Sequence, residues 1–192
     1  MKFWRKDNLS LLHYLVVPQK PYSLQFNDSF LVIGGCNKLF VYDMKKPNYN
    51  LVSEISGNPL NQLSKSSGGL KVQFDDLKIV CGGEKTLCIF DFGGLLKHDF
   101  KPNFSVTCFQ YNTERLVCGS LGGSFYIYEI IGGTLITTLK CAMAANITCL
   151  QFDQTKLVAG TYSGAIGFFI FLFIILIFLH PKKFHEKKLF TI

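Results

Sequence analysis

Apolar and polar positions alternate in short runs along this chain, and one thirteen-residue pattern returns four times. It reads SLQFNDSFLVIGG (Ser23 to Gly35), KVQFDDLKIVCGG (Lys71 to Gly83), CFQYNTERLVCGS (Cys108 to Ser120) and CLQFDQTKLVAGT (Cys149 to Thr161). Gln25, Gln73, Gln110 and Gln151 hold one column; Val32, Val80, Val117 and Val158 hold another. Each copy runs aromatic, polar turn, apolar triplet, Gly-bearing break, then an alternating stretch such as Ser124 to Glu129 that ends on an aromatic and an acid. Period-two alternation reads as a strand with one covered face, and a short Gly-bearing gap reads as a hairpin turn. Each copy therefore predicts a small antiparallel meander.

The expected strands lie near 22–26, 30–35, 38–43 and 50–55; 70–74, 77–82, 86–91 and 95–100; 106–111, 115–119, 124–130 and 134–139; and 147–152 and 156–161. The spacing from the Val column to the later aromatic is 10 residues in the first two copies (Val32 to Tyr42, Val80 to Phe90) and 11 in the third (Val117 to Tyr128), so the early hairpins are one residue tighter. The connector from Ser56 to Gly69, rich in Ser, Asn and Gly, reads as a surface loop. The aromatic after each Gln advances by 48, 37 and 41 residues, close to the ~40 to 45 residues of one propeller blade.

These phrases resemble WD40 repeats, and CLQFDQTKLVAGTYSGAI is similar to the wording of F-box/WD-repeat adaptor propellers. The resemblance covers residues 22–166, as units 22–55, 70–100, 106–139 and 147–166. It implies an all-β fold, a partial, about four-blade WD40-like β-propeller with an apolar C-terminal tail. Residues 1–21 then form an N-terminal segment, a strand of a neighbouring blade. Where the family places Trp-Asp at the end of the third strand, this chain has Tyr42-Asp43, Phe90-Asp91 and Tyr128-Glu129, which implies acids bound locally at strand ends. The family's Gly-His pair is absent, and its tight-turn Asp is replaced by Gly122 and Ser163. The buried network of a typical blade is thus not expected, nor its full rigidity.

The fourth copy breaks. After Ile166 it runs GFFIFLFIILIFL to Leu179 and then HPKKFHEKKLFTI, and the column of Asp43, Asp91 and Glu129 arrives at Ile170. Three readings of 167–192, apolar and then basic, stand open: a tail anchor, residues of different origin joined to the repeats, and an unusual propeller strand. The solidly apolar part, Ile166 to Leu179, is fourteen residues, short of the ~20 that a spanning helix needs. A membrane contact is expected only through residues 166–179.

Net charge is +7, but residues 180–192 carry four Lys against one Glu, leaving +4 for the rest. With only Arg5 and Arg115 to grip phosphates bidentately, nucleic-acid binding is not expected. Seven cysteines, with no CxxC, read as reduced structural thiols. The opening MKFWRK, followed by LSLLHYLVV, is interrupted by Asp7 and His13 and meets no small-residue cleavage site, which argues against a signal peptide. His13, His98, His180 and His185 have no partners at metal spacing, and Asp75-Asp76 sits in the turn column of Asn27-Asp28 and Asp153. No catalytic residue, cofactor or metal is expected.

The resemblance implies a protein-interaction scaffold, a fragment of a ubiquitin-ligase substrate adaptor in its finer form, taking a protein or peptide partner. The turns at Asn37-Lys38, Glu84-Lys85, Gly122 and Ser163 form the candidate partner face, made mildly basic by Lys38, Lys65 and Lys85. The family's degron-reading arginines have no counterpart, so phosphodegron recognition is not carried over. The expected location is cytoplasmic; the alternative is a membrane-tethered repeat protein anchored by its tail. So few blades leave sheet faces bare, which predicts self-association through open propeller edges.

Overall fold

The computed structural model describes residues 1–46, 48–60, 69–141 and 145–170. The chain divides into two compact units, Met1–Ser105 and Val106–Ile192. In the first, β1 (Lys2–Trp4) and β2 (Leu11–Tyr14) form a two-stranded antiparallel sheet. Blade 1 follows as a meander of β3 (Ser23–Phe26), β4 (Phe30–Gly34), β5 (Leu39–Asp43) and β6 (Asn50–Ile55), and blade 2 as one of β7 (Lys71–Phe74), β8 (Ile79–Gly83), β9 (Thr86–Phe90) and β10 (Leu96–Asp99). The second unit holds blade 3, with β11 (Val106–Tyr111), β12 (Arg115–Ser120), β13 (Ser124–Glu129) and β14 (Leu135–Lys140). Blade 4 has three described strands, β15 (Ile147–Phe152), β16 (Lys156–Thr161) and β17 (Ile166–Ile170).

Two features depart from the sequence expectation. The N-terminal segment is a hairpin rather than one strand; Met1, Phe3 and Val17 pack on Leu31, Ile33, Phe40 and Tyr42 of blade 1. The fourth unit also runs past its expected bound at Ile166, in keeping with the propeller-strand reading of the three left open, because β17 continues the ladder until Ile170 lies opposite Lys156. Period-two packing holds this strand without the terminal acid: Phe169 faces blade 3, its ring 5.1 Å from that of Phe125 in an edge-on contact. The remainder of the apolar and basic tail, 171–192, lies outside the described residues, as do most of the connector and Lys65.

One turn chemistry recurs in all four blades. The Oδ1 of Asn27, Asp75, Asn112 and Asp153 each accepts two main-chain N–H groups, from Ser29 and Phe30, Leu77 and Lys78, Glu114 and Arg115, and Thr155 and Lys156, at 2.8 to 2.9 Å. Such a side chain mimics a turn residue two positions on, so each first hairpin closes at the same place. Asp75 is accordingly a turn former.

Consecutive blades meet face to face within each unit. Val32, Leu39, Val41 and Ile55 of blade 1 cluster with Val72, Phe74, Ile79, Cys81, Cys88 and Phe90 of blade 2. Likewise Cys108, Val117, Phe125 and Ile127 of blade 3 cluster with Ile147, Phe152, Leu157 and Ala159 of blade 4. Each fully covered Val, Leu, Ile or Phe is worth about 1.5–3 kcal/mol of transfer free energy. The face of a blade that meets the next repeat is its trailing face; the opposite one is its leading face.

Candidate protein-interaction site

The register brings specific residues to one edge of each blade. In blade 1 Ser23 pairs with Gly34, Gly34 with Leu39, and Leu39 with Ile55, so the start of β3 and the β4–β5 turn share an edge with the end of β6. Blade 2 repeats this with Lys71 opposite Gly82 and Gly83 opposite Thr86, blade 3 with Val106 opposite Ser120, and blade 4 with Ile147 opposite Thr161. The opposite edge of each blade carries the turn-forming Asn or Asp described above and, in blade 3, Arg115.

The six turn residues singled out in the sequence all lie on these second-hairpin turns, Asn37, Lys38 and Ser163 among them tied internally. Asn37 accepts a bond from the Gln19 amide at 3.3 Å, while Gln19 Oε1 takes the Cys36 N–H at 3.1 Å. Lys38 is ion-paired with Glu54, which cancels its share of the expected basic character. Lys85 is exposed beside half-buried Glu84. Gly122 is exposed, and the Ser163 hydroxyl lies 2.9 Å from that of Thr161.

Local hydroxyl bridges stand where the family's Asp would lock the turn. Buried Ser120 donates to Ser124 O at 3.0 Å and accepts from Ser124 N–H at 3.1 Å, and Thr161 donates to Ala165 O at 3.2 Å. The Ser and Thr that end the third and fourth phrases therefore tie their own turns. In the adjacent column, Leu121 and Tyr162 are exposed at the same turns, Tyr162 by 83%.

The acids after the third strand bind locally. Asp43 Oδ1 accepts from Lys45 N–H at 2.9 Å, and Asp91 accepts from Leu95 N–H at 2.9 Å and faces Lys97 at 3.0 Å. Glu129 accepts from the Thr134 hydroxyl at 3.1 Å. Lys97 and the Leu95 N–H hold the Asp91 carboxyl below its ordinary value. Next to them in sequence, Tyr42 and Tyr128 are buried, and burial raises both phenols; Phe90, in the same column, is buried too.

All seven cysteines are thiols rather than disulfides, six of them buried or half-buried and Cys149 exposed. Cys88 is pushed far up by its hydrogen bond with Cys81 and by burial, and Cys118 by burial, so neither is a nucleophile near neutral pH. Among the described residues no group of three or more His, Cys, Asp or Glu is placed to hold a metal, and no helix is long and apolar enough to cross a membrane. Residues 166–170 of the candidate anchor are a strand.

Sequence reasoning left one column without a role. The Gln25 carboxamide donates to Phe74 O at 3.1 Å and accepts from Phe74 N–H at 2.7 Å, clasping the first strand of the next blade. Gln110 accepts from Phe152 N–H at 2.7 Å in the same way. The signal was the column itself.

No family model and no curated protein matches the chain. Solved structures do. The computationally designed Ika4 protein matches with a TM-score of 0.66 at 19% identity, over 81% of this chain and 93% of that one. The designed Ika8 protein matches with a TM-score of 0.71 at 19% identity, over 88% of this chain and 52% of that one. A chain of the mitotic checkpoint complex matches with a TM-score of 0.72 at 15% identity, over 87% of this chain and 53% of that one. The chain thus spans about half the length of the last two. Together with the repeated meanders, these likenesses define the class: an all-β, partial β-propeller fold.

Proposed function

We propose that this chain is a protein-interaction scaffold, and that it holds its partner at the second-hairpin turns of its blades. The observation that carries this is the pair Leu121 and Tyr162, an aliphatic and an aromatic side chain exposed in one repeat column of blades 3 and 4, on turns tied by Ser120 and Thr161. Large apolar side chains on a rigid frame are what a binding edge needs, because little conformational freedom is lost when they are covered. A protein or peptide suits such an edge better than a small molecule, which takes a concave pocket.

A photo-crosslinking residue at position 162 should trap a partner from the native source, and one at position 154, on the opposite edge of blade 4, should not. Equal trapping at both positions counts against the reading. The finer form, a piece of a ubiquitin-ligase substrate adaptor, is supported by the wording of the phrase, and recovery of ligase subunits among the trapped proteins would support it further.

A further inference from the structure

We propose that the trailing face of blade 4 docks the leading side of blade 1 of a second copy of this chain, head to tail. The second-hairpin turns take no part in it, so this reading stands or falls independently of the partner edge.

Three columns make the trailing faces of blades 1 and 3: the Val column, the residue after the second turn and the residue two further on. In blades 1 and 3 they are Val32, Leu39 and Val41 and Val117, Phe125 and Ile127, all buried. In blade 4 they are Val158, Ile166 and Phe168. Here Val41 and Ile127 are 0% exposed and Phe168 is 73% exposed, with Ile166 nearly as bare. Apolar columns that are covered elsewhere are left open, and their chemistry matches an interface already made twice within the chain.

Two further columns say what should cover them. A Cβ on Gly34 would lie 2.1 Å from Leu70 O and one on Gly119 2.6 Å from Ile147, because the entry to the next first strand crosses there. At Gly160 the close neighbours of such a Cβ among the described residues are its own blade's Cys149 and Thr148, so no described first strand crosses there. Gln151 is exposed, in the column where Gln25 and Gln110 clasp the aromatic of the next first strand. The occupant is therefore an extended strand that presents alternate apolar side chains and offers the main-chain amide of an aromatic residue.

The chain carries such a strand uncovered. In β3, Phe26 is 66% exposed and Leu24 is also bare, whereas their counterparts Phe74 and Val72 are buried, Phe74 at 6%. The hairpin that covers the rest of this side of blade 1 has Trp4, Leu12 and Tyr14 exposed, so it too offers apolar surface. One copy thus holds both halves of a junction in which Gln151 takes Phe26. Unlike faces pair heterologously, closing into a ring where the rotation permits and extending otherwise.

Tyr22 directly precedes β3 as Leu70 directly precedes β7, and in blade 1 the Ser23 hydroxyl reaches Leu70 O; with Cys149 in the column of Ser23, Tyr22→Cys sets a thiol opposite the exposed Cys149 of another copy. In the full chain, mild oxidation of this variant should trap disulfide-linked dimers or higher species on a non-reducing gel, several-fold above the wild type. Adding Cys149→Ser, Phe168→Glu or Gln151→Ala should remove or sharply reduce them. Both Phe168 and Gln151 are exposed, and circular dichroism checks that the variants stay folded. The wild type should gain mass with concentration by sedimentation, more so at high salt, because each copy carries +7. Failure to trap, trapping that survives Phe168→Glu, or a monomer at every concentration overturns the proposal.

Discussion

At Asp75 burial acts to raise the carboxyl, but Lys78 and the N–H groups of Leu77 and Lys78 outweigh it and leave the group below its ordinary value. Asp153 is lowered by the N–H of Thr155 and by Lys156, and Asp91 by Lys97 and the Leu95 N–H. A carboxyl whose folded value is depressed contributes stability above its unfolded value and loses it as pH falls through the folded one. The melting temperature should therefore hold from neutral pH down to about pH 5 and fall below about pH 4. Asp75→Asn should soften that acid limb while keeping the turn, since Asn27 and Asn112 hold the same column with the same bonds. Melts followed by circular dichroism across the acid range test this; an acid limb identical to the wild type's would show that the carboxyl charge is irrelevant.

Between elements, the Gln column is the polar counterpart of the apolar faces. Gln25→Ala leaves the N–H and C=O of buried Phe74 without their carboxamide partner and should cost about 1–3 kcal/mol. Gln151→Ala touches an exposed side chain and should change monomer stability by less than about 0.5 kcal/mol. Urea midpoints at low protein concentration separate the two, and equal losses would remove the inter-blade role. The meanders themselves were legible: β11, β15 and β16 lie where alternation and the turn-forming Asn or Asp put them. The hairpin β1–β2 was not, because residues 1–21 carry no copy of the phrase and its strands are fixed by packing on Ile33 and Phe40. For β17 a propeller strand was only one of three open readings, since an unbroken apolar run lacks the polar alternation that marks one covered face, and the ladder with β16 decides it. A repeat column likewise shows that Gln matters without showing which neighbour it reaches.

Over the whole molecule, protection against local opening should follow how each strand is flanked. The strands β4, β5, β8, β9, β12 and β13 each have a partner on both sides and bury most of their apolar side chains. By contrast, among the described residues β1 and β2 pair only with each other, and β17 is an edge of its sheet with Ile166 and Phe168 bare. A two-stranded sheet is marginal without packing, and strands with few buried contacts open first. Hydrogen exchange at low protein concentration should thus be slowest in these six strands, the middle pairs of the four-stranded sheets, and fastest in β1, β2 and β17. Raising the concentration should slow exchange at the Phe26 amide, which gains Gln151 when copies join, and leave β8 and β12 unchanged. If β17 exchanged as slowly as β12 in the dilute monomer, its face would already be covered, and with that the reason for copies to meet there would be gone.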